Sequence, residues 1–295
     1  MEISAQQAME RAQAVGGRLA NLTRRESRGA GQNCPWELVV TIDQAPEDRA
    51  AAAWIIADEV MHSRTDVETE VYDLWRQSVL AGTKLTGRDH VRTLAFAYPV
   101  FGAAAALKKG NHGLAGYVGE WLWYLITRDL PAEPGRSVEF LTAPGPTVSD
   151  SGGDGLIIHR AEGSTRGFVF RLWEMKKYTG KANKPDGAIR KGWTQLGTKG
   201  ATYLGQMSWG DKRLVPDTLE FVSSLVSQWV DAEESGNGGV SVALNASATP
   251  ARAFHLAQQH FTTHSHPDAL KGMVVAIDDL EAFARIVRGY VWSAL

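Results

Sequence analysis

The chain has 295 residues, of which 44% are hydrophobic and 22% charged, with a formal net charge of −2. That is enough apolar material for one large domain, or for a domain with an extension, and the balance is that of an ordinary globular protein rather than a disordered one. The single cysteine, Cys34, excludes an internal disulfide and a cysteine-built zinc knuckle, and fits a reducing cytoplasm.

In chain order, Met1 to Leu19 reads as an amphipathic helix (about 3–20) rather than a leader. A loop with Arg24, Arg25 and Arg28 follows, then a strand over Trp36–Ile42 and a helix over about 46–62, with further helical pattern up to Lys109. The apolar run Leu94–Leu107 is too short to span a bilayer and is interrupted by Pro99. Gly110-Asn-His-Gly113 breaks the pattern, and Leu114–Arg128 resumes it with Tyr117, Trp121 and Tyr124 at helical spacing.

After Pro131-Ala-Glu-Pro134-Gly the period changes from helix to strand. Ser137–Thr142, Gly155–Arg160 and the long Phe168–Tyr178 are expected strands, the last two joined by the turn-rich Glu162–Gly167. A helix from about Pro185 to Met207 follows. Then come a loop at Ser235–Gly239, a strand Val240–Leu244, a helix Ala251–Phe261, a strand Met273–Ile277 and a closing helix from Asp279. The order from residue 114 predicts an α/β fold with a mixed central sheet flanked by helices. The expected division is a largely helical N-terminal region with one strand, 1–110, and a second domain, 111–295.

Between Arg171 and Arg213 ten Lys/Arg face three acids, a local charge of +7 against −9 for the rest of the chain. Such a basic segment is the footprint of phosphate-backbone contact, though a solvated helix face reads the same way.

The strand FVFRLWEMKK carries the chemistry. Alternation puts Phe168, Phe170, Leu172, Glu174 and Lys176 on one face and Val169, Trp173 and Met175 on the other. Both faces are apolar, as in a strand covered on both sides, so a carboxylate and an ammonium at its end must be paired or bound to metal. Closing the hairpin at Arg160 and Gly167 sets Asp154 opposite Trp173 or Glu174. Two hard oxygen ligands there suit Mg²⁺, with Mn²⁺ as its substitute.

Asp154 followed by Glu174-Met-Lys176 on a hairpin after a helix resembles the PD-(D/E)xK, restriction-endonuclease-like, nuclease superfamily over roughly Leu114–Tyr203. Gly153 stands where the family name has proline. The resemblance implies a restriction-endonuclease-like core and a metal-dependent DNA phosphodiester hydrolase. Asp154 and Glu174 would be metal ligands, helped by the Met175 carbonyl, with Lys176 acting on water and phosphate. Glu120, on the preceding helix, matches the extra glutamate of many members as a further ligand. Some relatives carry Gln-x-x-x-Tyr on the next helix, where this chain has Gln195, Lys199 and Tyr203. With Lys177, Lys181, Lys184, Arg190 and Lys191 these are the candidate nucleic-acid contacts. Such folds serve restriction, DNA processing and antiviral defence against phage, often beside a helicase or ATPase subunit. The nuclease subunit of Hachiman-type systems is one such arrangement. RNA as substrate stays open at this point.

Two other readings compete. One is a non-catalytic module with a nuclease-like fold that holds nucleic acid or a partner protein. The other is a zinc hydrolase built on His255, His260, His264 and His266, of which His260 and His264 have the i, i+4 spacing of two ligands on a helix. Cys34 as a nucleophile would need a histidine and an orienting group. Ser235–Gly239 lacks the lysine and following helix of a P-loop.

Overall fold

The computed structural model describes residues 3–29, 32–41, 45–102, 112–131, 134–145, 153–180, 185–207 and 216–295. One seven-stranded mixed sheet organises them. Its strands are β1 (Arg24–Arg28), β2 (Trp36–Val40), β3 (Arg136–Leu141), β4 (Gly155–Ala161), β5 (Phe168–Tyr178), β6 (Gly236–Asn245) and β7 (Leu270–Ile277), in the order β1-β2-β7-β6-β5-β4-β3. β2, β7, β6 and β5 run parallel, and β1 at one side and β4–β3 at the other pair antiparallel. The parallel centre is buried almost throughout, as strands covered on both faces must be.

Helices α1 (Ala5–Ala14), α2 (Pro46–Thr65), α3 (Thr69–Ala81), α4 (Gly87–Phe101), α5 (His112–Asp129) and α10 (Leu280–Trp292) belong to one side. Their core takes in Trp54, Trp75, Trp121 and Trp123 together with Trp173 and Met175 of β5. Helices α6 (Asp186–Met207), α7 (Pro216–Ser223), α8 (Leu225–Val230) and the single turn α9 (Ala257–His260) belong to the other side. There Trp193, Trp229 and Phe261 pack with Phe168, Phe170 and Leu172. The two apolar faces read from β5 are therefore covered by different helical layers.

Several local expectations shift. The first helix ends at Ala14 because Gly16 and Gly17 take φ of 78° and 68°. Its start is fixed by Ser4, whose hydroxyl caps Gln7 N while the Gln7 amide returns to Ser4 N. The arginine-bearing loop is strand β1, pairing Arg25 with Val39. Its run of charges conceals a strand because it lies at the sheet edge, where charged side chains discourage pairing with another chain.

Ser235–Gly239 is not a loop before a strand: β6 begins at Gly236. A Cβ on Gly239 would lie 2.5 Å from the Trp173 ring, so glycine here is what lets β6 run beneath that indole. The expected helix over 251–261 shrinks to α9, since Phe254 has φ 60°, outside helical space, with its ring over Gly272. α7 and α8 were not anticipated. The helical pattern expected beyond residue 62 is α3 and α4, while Ile42, residues 103–109 and the start of the Gly110 break lie outside the described residues. The sheet also runs across the expected boundary at 110, because β2 pairs with β7 from Trp36↔Gly272 to Val40↔Ala276.

Candidate active site

The β4–β5 hairpin is registered Gly155↔Trp173 through Arg160↔Phe168, so the next step outward sets Asp154 across from Glu174. Asp154 is half-buried and its Oδ2 accepts the Met175 N–H at 2.6 Å, which fixes the carboxylate against β5. Glu174 is 1% exposed. Lys176, two residues on and therefore on the same face, donates its Nζ to Glu174 Oε1. Glu174 Oε2 is buried, and no N–H or hydroxyl donor of the described residues reaches it.

The electrostatics follow from that crowding. Burial, then the neighbouring Asp154 charge, pushes the Glu174 carboxyl up to about 8 against the opposing pull of Lys176. Burial likewise raises Asp154, while Lys176, the Met175 N–H and a hydrogen bond from the Glu174 carboxyl hold it down. Two carboxylates share one lysine. The remaining negative charge is balanced either by a proton on Glu174 or by a cation.

Helix α6 walls the same side. A Cβ on Gly192 would meet Val240 Cγ1 at 2.9 Å and Lys176 Cγ at 3.6 Å, so glycine lets the helix lie close on the sheet beside the lysine. One turn later Gln195 Nε2 donates to the Tyr203 hydroxyl at 2.7 Å. Tyr203 is buried, and its phenol is raised by burial and, to a smaller degree, by the charges of Glu174 and Asp154. The outer face of α6 forms an open groove of about 700 Å³ lined by Gly187, Arg190, Lys191, Thr194, Gln195, Thr198 and Lys199. Gln195 thus belongs both to the groove and to the tyrosine beside the carboxylates. The Gln195–Tyr203 bond, spanning two helical turns, is what sequence spacing alone missed.

No family model, curated protein or solved structure matches the chain. What the site can do rests on its own residues.

Not every expected residue joins. Glu120 lies half-buried on α5, whose neighbours Gly119 and Trp123 face Ala243 and Gly155 on the Trp173 side of the sheet. Among the described residues no three His, Cys, Asp or Glu gather as a ligand set, so Glu120 does not complete a cluster with Asp154 and Glu174. Lys177 points away from Lys176, beneath α5: a Cβ on Gly116 would lie 3.7 Å from its Cδ. Its buried Nζ has no hydrogen-bond partner among the described residues, and burial lowers its pKa with Glu281 opposing. Strand alternation thus sets it on the α5 face of the sheet, opposite the face of Lys176.

Arg171 is buried too and donates to the carbonyls of Gly238, Asp268 and Ala269 at 2.7, 2.9 and 3.2 Å. The basic segment is therefore not one face; its exposed cations on α6 are Arg190, Lys191 and Lys199. Lys181 and Lys184 lie outside the described residues.

The histidine run does not form a helical pair, since His260 ends α9 and His264 lies beyond it. His264 is fully buried between Trp229 (ring centroids 4.5 Å) and Phe261 (5.2 Å), and burial pushes its pKa down to about 4. Cys34 is buried and burial pushes its thiol up to about 12, the opposite of an activated nucleophile.

Proposed function

We propose that this chain is a Mg²⁺-dependent nuclease of the PD-(D/E)xK type that hydrolyses DNA phosphodiester bonds. The observation that carries the reading is the meeting of Asp154, Glu174 and Lys176 on adjacent strands, with one buried Glu174 oxygen lacking a donor. The helix–hairpin–helix order α5, β3–β4–β5, α6 supports a restriction-endonuclease-like core.

The donor set fits a hard divalent cation. Asp154 and Glu174 offer carboxylate oxygens, which Mg²⁺ prefers and which leave coordination positions for water and phosphate. When bound, the cation would polarise the phosphate and lower the pKa of a coordinated water. Glu174 would hold it through the oxygen that Lys176 leaves free, displacing the proton shared with Asp154, and Asp154 through a carboxylate oriented by the Met175 N–H.

Lys176 neutralises charge that develops on the attacked phosphate, a role that stabilises the transition state more than the ground state. Arg190, Lys191 and Lys199 bind the backbone along α6, and Tyr203 fixes the amide of Gln195 toward the same path. A wider role in phage defence, with a helicase or ATPase partner delivering the DNA, is proposed with the activity on the resemblance alone.

The test is cleavage of plasmid and single-stranded DNA in EDTA, Mg²⁺ and Mn²⁺, by the wild type and by Glu174→Ala. Cleavage that requires metal and disappears in the variant is expected. Undiminished cleavage by Glu174→Ala, from a preparation free of contaminating nuclease, would place the active site elsewhere.

A further inference from the structure

A hollow of about 300 Å³ opens between the first turn of α6 and residues 254–260. That volume is at the lower end of the range for sites that enclose a small ligand. Ile189, Phe254 and Ala257 are its buried, apolar part. Leu256, 39% exposed, and the imidazoles of His255 and His260 make up its outer part.

Sheet register ties this hollow to the carboxylates. Glu174 pairs with Val240 and Val240 with Gly272, so the three form one row across β5, β6 and β7, on one face of the sheet. Gly272 brings no side chain to that row, and the Phe254 ring lies where a Cβ would stand. Neighbouring strands are about 4.8 Å apart, so Gly272 is about 10 Å from Glu174 and level with it along the strands. Helix α6 crosses the interval. Gly192 seats it on Val240, the middle residue of the row, beside Lys176. The groove on its outer face shares Gly187 and Arg190 with the hollow, and reaches Gln195, which is bonded to Tyr203.

The chemistry of the two spaces is complementary. Arg190, Lys191 and Lys199 in the groove, like His255 and His260 in the hollow, have side chains with no hydrogen-bond or ion-pair partner among the described residues. All five are exposed or half-buried, within reach of a ligand. Asp186 is the one carboxylate in either lining among the described residues. A row of cations that leads to an apolar hollow rimmed by imidazoles suits a polyanion carrying flat rings with apolar faces. A nucleic-acid strand is such a molecule, and a base can enter a side pocket only when it is not held in a duplex.

We propose that the hollow takes one unpaired base of a single-stranded DNA whose phosphates follow α6. Leu256 and the imidazole faces hold the ring by stacking and apolar contact, and Arg190 holds the phosphate beside it. The inference rests on the nuclease reading only in letting α6 carry DNA; it does not require cleavage.

Fluorescence anisotropy of the full chain in EDTA, which prevents metal-dependent cleavage, tests it. The probes are a single-stranded DNA oligonucleotide, its duplex, and a fully abasic strand of the same length. The intact single strand should bind at least about fivefold tighter than either of the others. Leu256→Ala and His260→Ala should each remove much of the discrimination between intact and abasic strands while leaving affinity for the abasic strand unchanged. Both replace side chains outside the buried core, and either one carries the comparison if the other fails to fold. Lys199→Ala should weaken both strands alike and keep their ratio, because it meets phosphate rather than base.

The proposal is overturned by a wild type that binds no single strand, binds the duplex as tightly, or does not distinguish intact from abasic strands. It is equally overturned if Leu256→Ala and His260→Ala, both folded, keep the full discrimination. Mg²⁺-dependent cleavage that Glu174→Ala abolishes, found with any of these results, leaves the nuclease reading standing without the base pocket. Discrimination that the two variants remove, found without cleavage, leaves the base pocket standing without the nuclease.

Discussion

Replacing Glu174 by glutamine should make the metal-free protein more stable while removing the proposed metal-dependent cleavage. The Glu174 carboxyl, ordinarily near 4.5, is pushed up to about 8 in the folded chain. A folded pKa above the unfolded one means that the native state holds a proton the unfolded chain releases. Stability is therefore full below about pH 4.5 and is lost progressively as pH rises toward 8. At about 1.4 kcal/mol per pH unit, Glu174 costs the metal-free fold about 3 kcal/mol at pH 7. Glutamine keeps the shape and leaves an oxygen for Lys176 but forfeits part of the charged bond, so a net gain of about 1–3 kcal/mol is expected. That corresponds to roughly 2–5 °C in Tm for a chain of this size.

Thermal unfolding in EDTA at pH 6 and pH 8 reads it directly. The wild type should be less stable at the higher pH by about 2 kcal/mol from this group, and Glu174→Gln should flatten the difference. Adding Mg²⁺ should raise the wild-type Tm and leave the variant nearly unmoved, since a ligand that binds only the folded state stabilises it. A Glu174→Gln protein less stable than wild type in EDTA at pH 8, or one with the same pH slope, would refute the account of two carboxylates crowded around one lysine.

Lys176→Ala should cut turnover at saturating DNA by at least about a hundredfold with little change in KM, whereas Lys199→Ala should mainly raise KM and reduce the salt dependence of binding by roughly one counterion, measured by steady-state kinetics across salt concentrations. Gly239→Ala should destabilise the protein by about 1–3 kcal/mol in a denaturant titration, because its Cβ would lie 2.5 Å from the Trp173 ring. Cys34 should resist a thiol reagent in the native state and react fully on unfolding, since burial holds its thiol in the protonated form.

Much of the hairpin was legible because its determinants are local. Alternation of two residues set Glu174 and Lys176 together on one face, and turn chemistry at Glu162–Gly167 fixed a register that the structure places at Gly155↔Trp173. α5 and α6 announced themselves by apolar periodicity. The same alternation rule turns Lys177 inward, so a basic segment counted along the chain overstated the basic face.

Other features depend on contacts between residues far apart in sequence. β1 is five polar residues with no apolar alternation, and it is a strand only because β2 pairs with β7 more than two hundred residues later. Gly236, Gly238 and Gly239 read as a loop until Phe170, Phe261 and Trp173 are laid over them. Glu120 could be assigned to a helix, but which layer that helix joins is decided by the packing of Gly116, Gly119 and Trp123 against the sheet. The polar cluster of Arg25, Glu37, Arg171 and Lys271 is drawn together from four strands. Local periodicity tells each side chain which face it takes. Only sheet order tells it which charges stand opposite, because the free energy that sets that order comes from burying both faces of the sheet at once.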